Sequence, residues 1–318
     1  MPPVDPFFAK KFELFEKVPA DAGEMGWMSL IGAEYQEPLS EYKSPNVRVE
    51  NRLIPGPQGE IPVRLYWPAD SGAETLPGLV WFHGGAFMFG DLDMNEGDIT
   101  GRELAHRSNA VVMSVDYRLV TPERKFPASQ IDGLAATRWF RDNASELGVD
   151  AGRIVISGAS AGACLTGSVV LQLRDAGELA GIRQLLIYPT LHNDLPDVST
   201  ELAAKLAEIP SQLAFSREFM VWLNGQLGID LADPSFHCFP GDTEDLSGLP
   251  QTLIINSEYD TLRASGERYF AQLQAAGNDA TQLLAEGAIH GHLNWYPQDC
   301  GVMDETLDMM STFITEEK

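Results

Sequence analysis

Basic residues are scarce in this chain: 22 Lys and Arg stand against 46 Asp and Glu, a formal balance of −24. So acidic a surface repels phosphate backbones and anionic membranes, so no nucleic-acid and no membrane partner is expected. Cysteine is sparse too. Cys164, Cys238 and Cys300 are odd in number and show no C-x-x-C spacing, which argues against a disulfide framework or a zinc site. No apolar run is long enough to span a bilayer. The opening MPPVDPFFAKKFELFEKV mixes charges where a secretory signal would be apolar, and a soluble cytoplasmic protein is expected. Internal repeats and low-complexity linkers are missing as well. What remains is an ordinary globular composition over 318 residues. That length suits one large α/β domain, or such a domain with a small accessory layer.

Short apolar runs at Leu79–Phe82, Ala110–Val115, Arg153–Ser157, Ile182–Tyr188, Thr252–Asn256 and Thr281–Ala285 read as buried strands. Helical patterns follow or separate them at Ile99–Ser108, Gln130–Leu147, Leu165–Asp175, Arg263–Ala276 and Met303–Phe313. This alternation predicts an α/β fold with a mostly parallel sheet covered on both faces. Asn46–Ile54 and Ile61–Trp67, on either side of the turn residues Pro57–Gly59, read as an antiparallel hairpin at the edge. The rhythm breaks at 190–248, where Val198–Glu208 and Ser211–Leu227 are helical. On the second of these, Phe215, Phe219, Trp222 and Leu223 form one stripe. The stripe packs on the body, and a functional reading adds that it lines a pocket. Phe8, Phe12 and Phe15 recur at helical spacing in residues 1–45, and a second short helix surrounds Trp27 and Met28. Residues 1–45 and 190–248 are therefore expected to form a helical cap, and 46–189 with 249–318 the core.

The chemistry centres on Ile154–Cys164, where G-x-S-x-G spans a strand-to-helix turn. Side chains in place of Gly158 and Gly162 would collide with the flanking strand and helix, and the strained turn lifts Ser160 to the carboxyl edge of the sheet. In an open α/β sheet, function gathers outside those carboxyl ends. A serine hydroxyl needs a base, and His290, after the last strand, is the candidate. The imidazole needs a carboxylate on its other nitrogen. Asp260 is preferred over Glu258, which lies closer to its strand, and His290 over His292, because Gly291 lets the loop turn tightly. The order Ser, acid, His is the one such an architecture imposes. An oxyanion needs fixed N–H donors, expected from Ala161 after the serine and from Gly84 and Gly85 in the loop after Phe82. Phe87, Phe215, Phe219, Trp222 and His292 are the candidate pocket residues. No metal and no cofactor is expected.

His83-Gly84-Gly85-Ala86-Phe87 resembles the HGGG-type segment of the hormone-sensitive-lipase-like esterases, a branch of the α/β-hydrolase superfamily. Asp116-Tyr117-Arg118-Leu119, with Pro122-Glu123 and Phe126-Pro127-Ala128, is similar to that family's D-Y-R-L-A-P-E-x-x-F-P-A with one residue added. Gly158–Gly162 resembles its G-D-S-A-G, Asp260–Arg263 its D-P-L-R, and His290-Gly291 its H-G-F. The resemblance implies an eight-stranded sheet, a helical cap and cofactor-free hydrolysis of short- to medium-chain carboxylic esters. The implied partner is a small-molecule ester, and a homodimer is left open. Amide, lactone or carbamate hydrolysis by the same residues stays open too, as does a non-catalytic ligand-binding role. Three departures stand out. Ala159 replaces the family's Asp before the nucleophile, so the support that carboxylate gives must come from elsewhere or be absent. Ala86 replaces the third glycine, a loop type associated with bulky and tertiary alcohol moieties. His292 replaces an apolar residue, which would make the alcohol-side wall more polar.

Overall fold

The computed structural model describes residues 3–19, 22, 26–69, 75–229 and 234–316. Helices α1 (Pro6–Lys11) and α2 (Gly26–Gln36) lead into a hairpin of β1 (Val47–Gly56) and β2 (Gly59–Pro68). Next come β3 (Leu76–Phe82), α3 (Asn95–Arg107), β4 (Val111–Val115), α4 (Ala128–Asp142) and the short α5 (Ala144–Leu147). They are followed by β5 (Val149–Ala159), α6 (Ala161–Asp175) and β6 (Ile182–Ile187). After α7 (Thr200–Leu206) and α8 (Arg217–Leu227), the chain closes with β7 (Thr252–Tyr259), α9 (Arg263–Ala275), β8 (Ala280–Ile289) and α10 (Gly301–Thr315).

The strands form one eight-stranded sheet in the order β1-β2-β4-β3-β5-β6-β7-β8. Only β2 runs against its neighbours, pairing antiparallel with both β1 and β4; every other pairing is parallel. Alternate side chains feed two cores. Val80 and Phe82 of β3, with Ile154 and Ile156 of β5, meet α4 and α6 through Phe140 and Leu165. Leu79 and Trp81, with Val155, meet α3 and α10 through Leu104 and Leu307 on the other face. A strand buried on both faces has no polar side, so these runs read as continuous apolar blocks.

The helix expected over Gln130–Leu147 is interrupted. Asn143 returns its Nδ2–H to Trp139 O at 2.8 Å, and Gly148 ends α5 with φ of 75°. Asparagine offers the backbone this alternative partner and so punctuates the helix. The stretch Ser211–Leu227 is also two pieces, because the Ser216 side chain accepts from Phe219 N–H at 3.0 Å and starts α8 afresh. Strand β7 runs on to Tyr259, so Glu258 lies inside a strand.

The phenylalanine stripe near the N-terminus is not on one helix. α1 ends at Lys11 and a 3₁₀ segment, Phe12–Lys17, carries Phe12 and Phe15. Phe7 and Phe8 pack on Trp295 with ring centroids 4.9 and 6.3 Å away. The buried Lys11 ammonium donates to Tyr35 O at 2.7 Å and Glu37 O at 2.9 Å, and lies 4.4 Å over the Trp295 ring. A buried cation needs such acceptors. They tie α1 to α2, and the contacts with Trp295 hold both to the segment that follows His290.

Candidate active site

Ser160 stands between β5 and α6 with φ 55° and ψ −115°, a region that L side chains avoid. Packing holds it there. A Cβ on Gly158 would lie 2.4 Å from Gly162 O, and one on Gly162 would lie 2.0 Å from Phe82 O. Both distances are far inside van der Waals contact, so the elbow requires glycine at both places. Ser160 remains partly open to solvent.

His290 follows the end of β8 and Asp260 follows the end of β7. His290 Nε2 is 3.1 Å from Ser160 Oγ, and Nδ1 is 2.6 Å from Asp260 Oδ2. Asp260 is buried, and its Oδ1 accepts from Leu262 N–H at 2.9 Å, which fixes the carboxylate plane. A carboxylate can only accept from the neutral ring, so Nδ1 carries the proton and Nε2 is left to take one from the serine. Glu258 is occupied elsewhere. Its Oε1 meets Lys205 Nζ of α7 at 2.7 Å and its Oε2 accepts from Gly287 N–H at 2.7 Å.

The glycine loop departs from the expectation at one residue. Gly84 N–H donates to Glu96 Oε1, so it does not face the serine as a donor. Among the described residues, no hydrogen bond engages the next amides, Gly85 and Ala86, or that of Ala161. Ala86 and Phe87 have φ of 55° and 61°, left-handed values for non-glycine residues. Such strain, roughly 1–3 kcal/mol each, persists where surroundings over-determine the backbone and collects at functional sites. The buried Tyr117 hydroxyl contributes here by donating to His83 O at 2.8 Å.

Above the serine a small apolar cluster forms from Leu195, Met220, Leu223 and Leu262, joined by Ala86, Met88, Phe215 and Phe219. The Phe215 ring stands edge-on to His290 at 5.0 Å, and its N–H donates to Thr261 Oγ1 at 3.1 Å. Two of the pocket candidates, Phe215 and Phe219, are thus brought together. Three are not. Phe87 is buried between Tyr117 and Phe126 in the core. Trp222 touches the Phe219 ring, with centroids 5.7 Å apart, but is 54% exposed. His292 is fully buried, with Ser257 Oγ 3.1 Å from Nδ1 and Thr306 Oγ1 2.9 Å from Nε2, so it offers no polar wall. Met88, Leu195 and Leu262 carry no periodic signal that would have singled them out.

Glu96 is the other residue the sequence did not disclose. Its carboxylate is buried, with Oε2 accepting from the Tyr188 hydroxyl at 2.7 Å and from Asn294 Nδ2 at 3.1 Å. Burial pushes its pKa up, against the opposing pull of these donors.

Burial also pushes His292 down, to a pKa of about 3 from the ordinary 6.5. The unfolded chain therefore takes up this proton first on acidification. Stability from this group is complete above 6.5 and is lost as pH falls toward 3. The loss runs at about 1.4 kcal/mol per pH unit through that window. His83 and His192, likewise lowered by burial, act with the same sign. Urea midpoints should fall between about pH 7 and about pH 5, and His292→Gln should shrink that fall. An equal fall in both proteins would exclude His292 as its source.

Among the described residues no three His, Cys, Asp or Glu side chains gather as a metal site, and no helix is long and apolar enough to cross a membrane. A strained serine elbow, with acid and histidine after the last two strands of a mostly parallel eight-stranded sheet, defines an α/β-hydrolase fold. The family described as alpha/beta hydrolase fold matches residues 79–294. The chain is 38% identical over 254 residues to esterase LipI of Mycobacterium tuberculosis, covering 79% of this chain and 77% of that protein. Carboxylesterase NlhH of the same organism is 36% identical over 260 residues, covering 79% and 77%. A hyperthermophilic esterase from the archaeon Pyrobaculum calidifontis has a TM-score of 0.79 at 32% identity, over 99% of this chain and 98% of that one. The chain belongs to the hormone-sensitive-lipase-like esterase family of α/β hydrolases.

Proposed function

We propose that this protein is a serine carboxylesterase that cleaves short- to medium-chain esters through Ser160, His290 and Asp260. The observation that carries the reading is the unbroken chain from Ser160 Oγ through His290 to Asp260, at 3.1 and 2.6 Å. In this mechanism Ser160 Oγ attacks the ester carbonyl while His290 Nε2 takes its proton. Asp260 stabilises the imidazolium and stays ionised. The amides of Ala161, Gly85 and Ala86 receive the oxyanion, and the positive end of α6 adds to them. His290 then protonates the departing alcohol, leaving an acyl-Ser160. Water repeats the sequence and releases the acid. A complete hydrogen-bonded triad weighs against a non-catalytic binding role.

The test is a p-nitrophenyl ester panel from acetyl to octanoyl, with mass spectrometry of enzyme quenched early in turnover. Hydrolysis, with a transient acyl adduct on the peptide bearing Ser160, is the expected result. Inertness toward the whole panel would refute the reading. On the alcohol side, Ala86 offers a methyl beside its amide and Met88 and Phe215 are only half-buried, which supports room for branched alcohols. Tert-butyl acetate and linalyl acetate are accordingly expected to turn over. If neither does while primary acetates do, the alcohol site is narrow.

A further inference from the structure

The family resemblance places a carboxylate just before the nucleophile, and this chain has Ala159 there. We infer that Glu96 is the positioning residue for the oxyanion loop, binding that loop to the histidine loop through one buried carboxylate. The inference rests on the esterase reading above.

Four elements meet at Glu96. The residue sits in the first turn of α3, on the face that packs against the sheet. Its Oε1 holds Gly84 N–H, at the root of the loop that carries the Gly85 and Ala86 amides. Oε2 holds the hydroxyl of Tyr188, just beyond β6, and Asn294 Nδ2, downstream of His290. The same Asn294 Nδ2 also reaches Gly291 O at 3.2 Å, and Asn95 Nδ2 donates to Asn294 O at 2.9 Å. Tyr188 has φ of 34°, and its ring stands edge-on to His290 at 5.0 Å. A Cβ on Gly84 would lie 2.7 Å from Glu96 Oε1 and 3.3 Å from the Ser160 Cβ, so glycine is what lets carboxylate, loop and elbow close up together.

The functional consequence follows from this wiring. The oxyanion donors and the general base must keep a fixed separation, because the oxyanion forms about 3 Å from its donors while the proton moves to His290. Glu96 touches the peptide ahead of those donors with one oxygen and the supports of His290 with the other. It touches neither Ser160 nor His290 by hydrogen bond, so it acts through Gly84, Tyr188 and Asn294. Ala159 lies in the same apolar cluster as Tyr188, so the missing carboxylate would have projected to this side of the sheet.

The test compares wild type, Glu96→Ala and Glu96→Gln for p-nitrophenyl butyrate hydrolysis and for inhibition by an aryl trifluoromethyl ketone. That ketone adds Ser160 Oγ at its carbonyl to give a tetrahedral oxyanion. Glu96→Ala is expected to lower kcat about 10²–10³-fold, the cost of a lost oxyanion donor, and to weaken the ketone by a similar factor. KM should move less than about threefold, since ground-state contacts are untouched. Glu96→Gln keeps an acceptor for Gly84 N–H and should return kcat to within about tenfold of wild type. A merely structural role would lower the melting temperature and leave kcat per titrated site and ketone affinity alone. That result, or a folded Glu96→Ala with wild-type kcat, overturns the inference. Should Glu96→Ala fail to fold, Tyr188→Phe carries the test. It frees one arm of Oε2, so kcat and ketone affinity should fall together severalfold, and unchanged values overturn the inference. A wild type inert to esters would overturn the functional reading itself. An active wild type with an equally active Glu96→Ala overturns this inference alone.

Discussion

Ser160→Ala is expected to remove ester turnover by about 10⁶-fold while leaving the fold intact. The loss is so large because the residue is used twice, as the attacking atom and as the carrier of the acyl group. Without Oγ, His290 has no hydroxyl to activate, and only the oxyanion amides are left to favour a direct attack by water. The fold should survive because the elbow is held by Gly158, Gly162 and Phe82, which do not depend on the hydroxyl. Among the described residues the hydroxyl makes one hydrogen bond, to His290. Steady-state hydrolysis of p-nitrophenyl butyrate and a thermal melt on the same preparation decide the matter. A well-folded alanine variant keeping more than about a hundredth of wild-type kcat would remove Ser160 from the mechanism.

Asp260→Asn carries the second largest effect, about 10⁴-fold in kcat. The direction follows from the hydrogen bonds. Leu262 N–H donates to Oδ1 and will keep the amide oxygen of asparagine on its side. The asparagine NH₂ then faces His290 Nδ1, which has to accept. The ring proton moves to Nε2, and the nitrogen beside Ser160 loses its lone pair as a base. Glu258→Gln should behave in the opposite manner. It weakens the buried ion pair with Lys205 and costs on the order of 3 kcal/mol of stability. Its kcat per folded molecule should stay within about tenfold of wild type, because Glu258 does not touch His290. If the glutamine variant were the inactive one, the acid would be Glu258.

That Ser160, Asp260 and His290 meet could be read from the sequence because each follows an apolar block, and their order agrees with the architecture. Polar residues at strand ends are visible in one dimension. The sheet and its covered faces were legible for the same reason. Which amide of the glycine loop turns outward was not, since Gly84 and Gly85 differ only in how the chain bends. Ala86, whose amide we propose as a donor where that of Gly84 is engaged by Glu96, reads in the sequence as a departure. Glu96 was hidden by a helix start without a signal. Met94 occupies the cap position and makes no side-chain cap, so the sequence pattern starts the helix only at Ile99 and leaves Glu96 in a loop. His292 shows the converse. A histidine in place of an apolar residue suggests a more polar alcohol-side wall, but Ser257 and Thr306, from β7 and α10, supply partners that only the folded chain brings near.

The Lys205–Glu258 pair has a further consequence for re-engineering this protein. Glu258 lies on the strand that delivers Asp260, and Lys205 comes from the helical segment over the site. Phe215 makes a second tie, from that segment to Thr261 and His290. The segment that we propose shapes substrate choice is therefore moored to residues flanking Asp260 and to the His290 ring. It is not an interchangeable module, and a transplanted cap that lacks a lysine and an aromatic at these two moorings would alter the reaction's machinery along with its appetite for substrates.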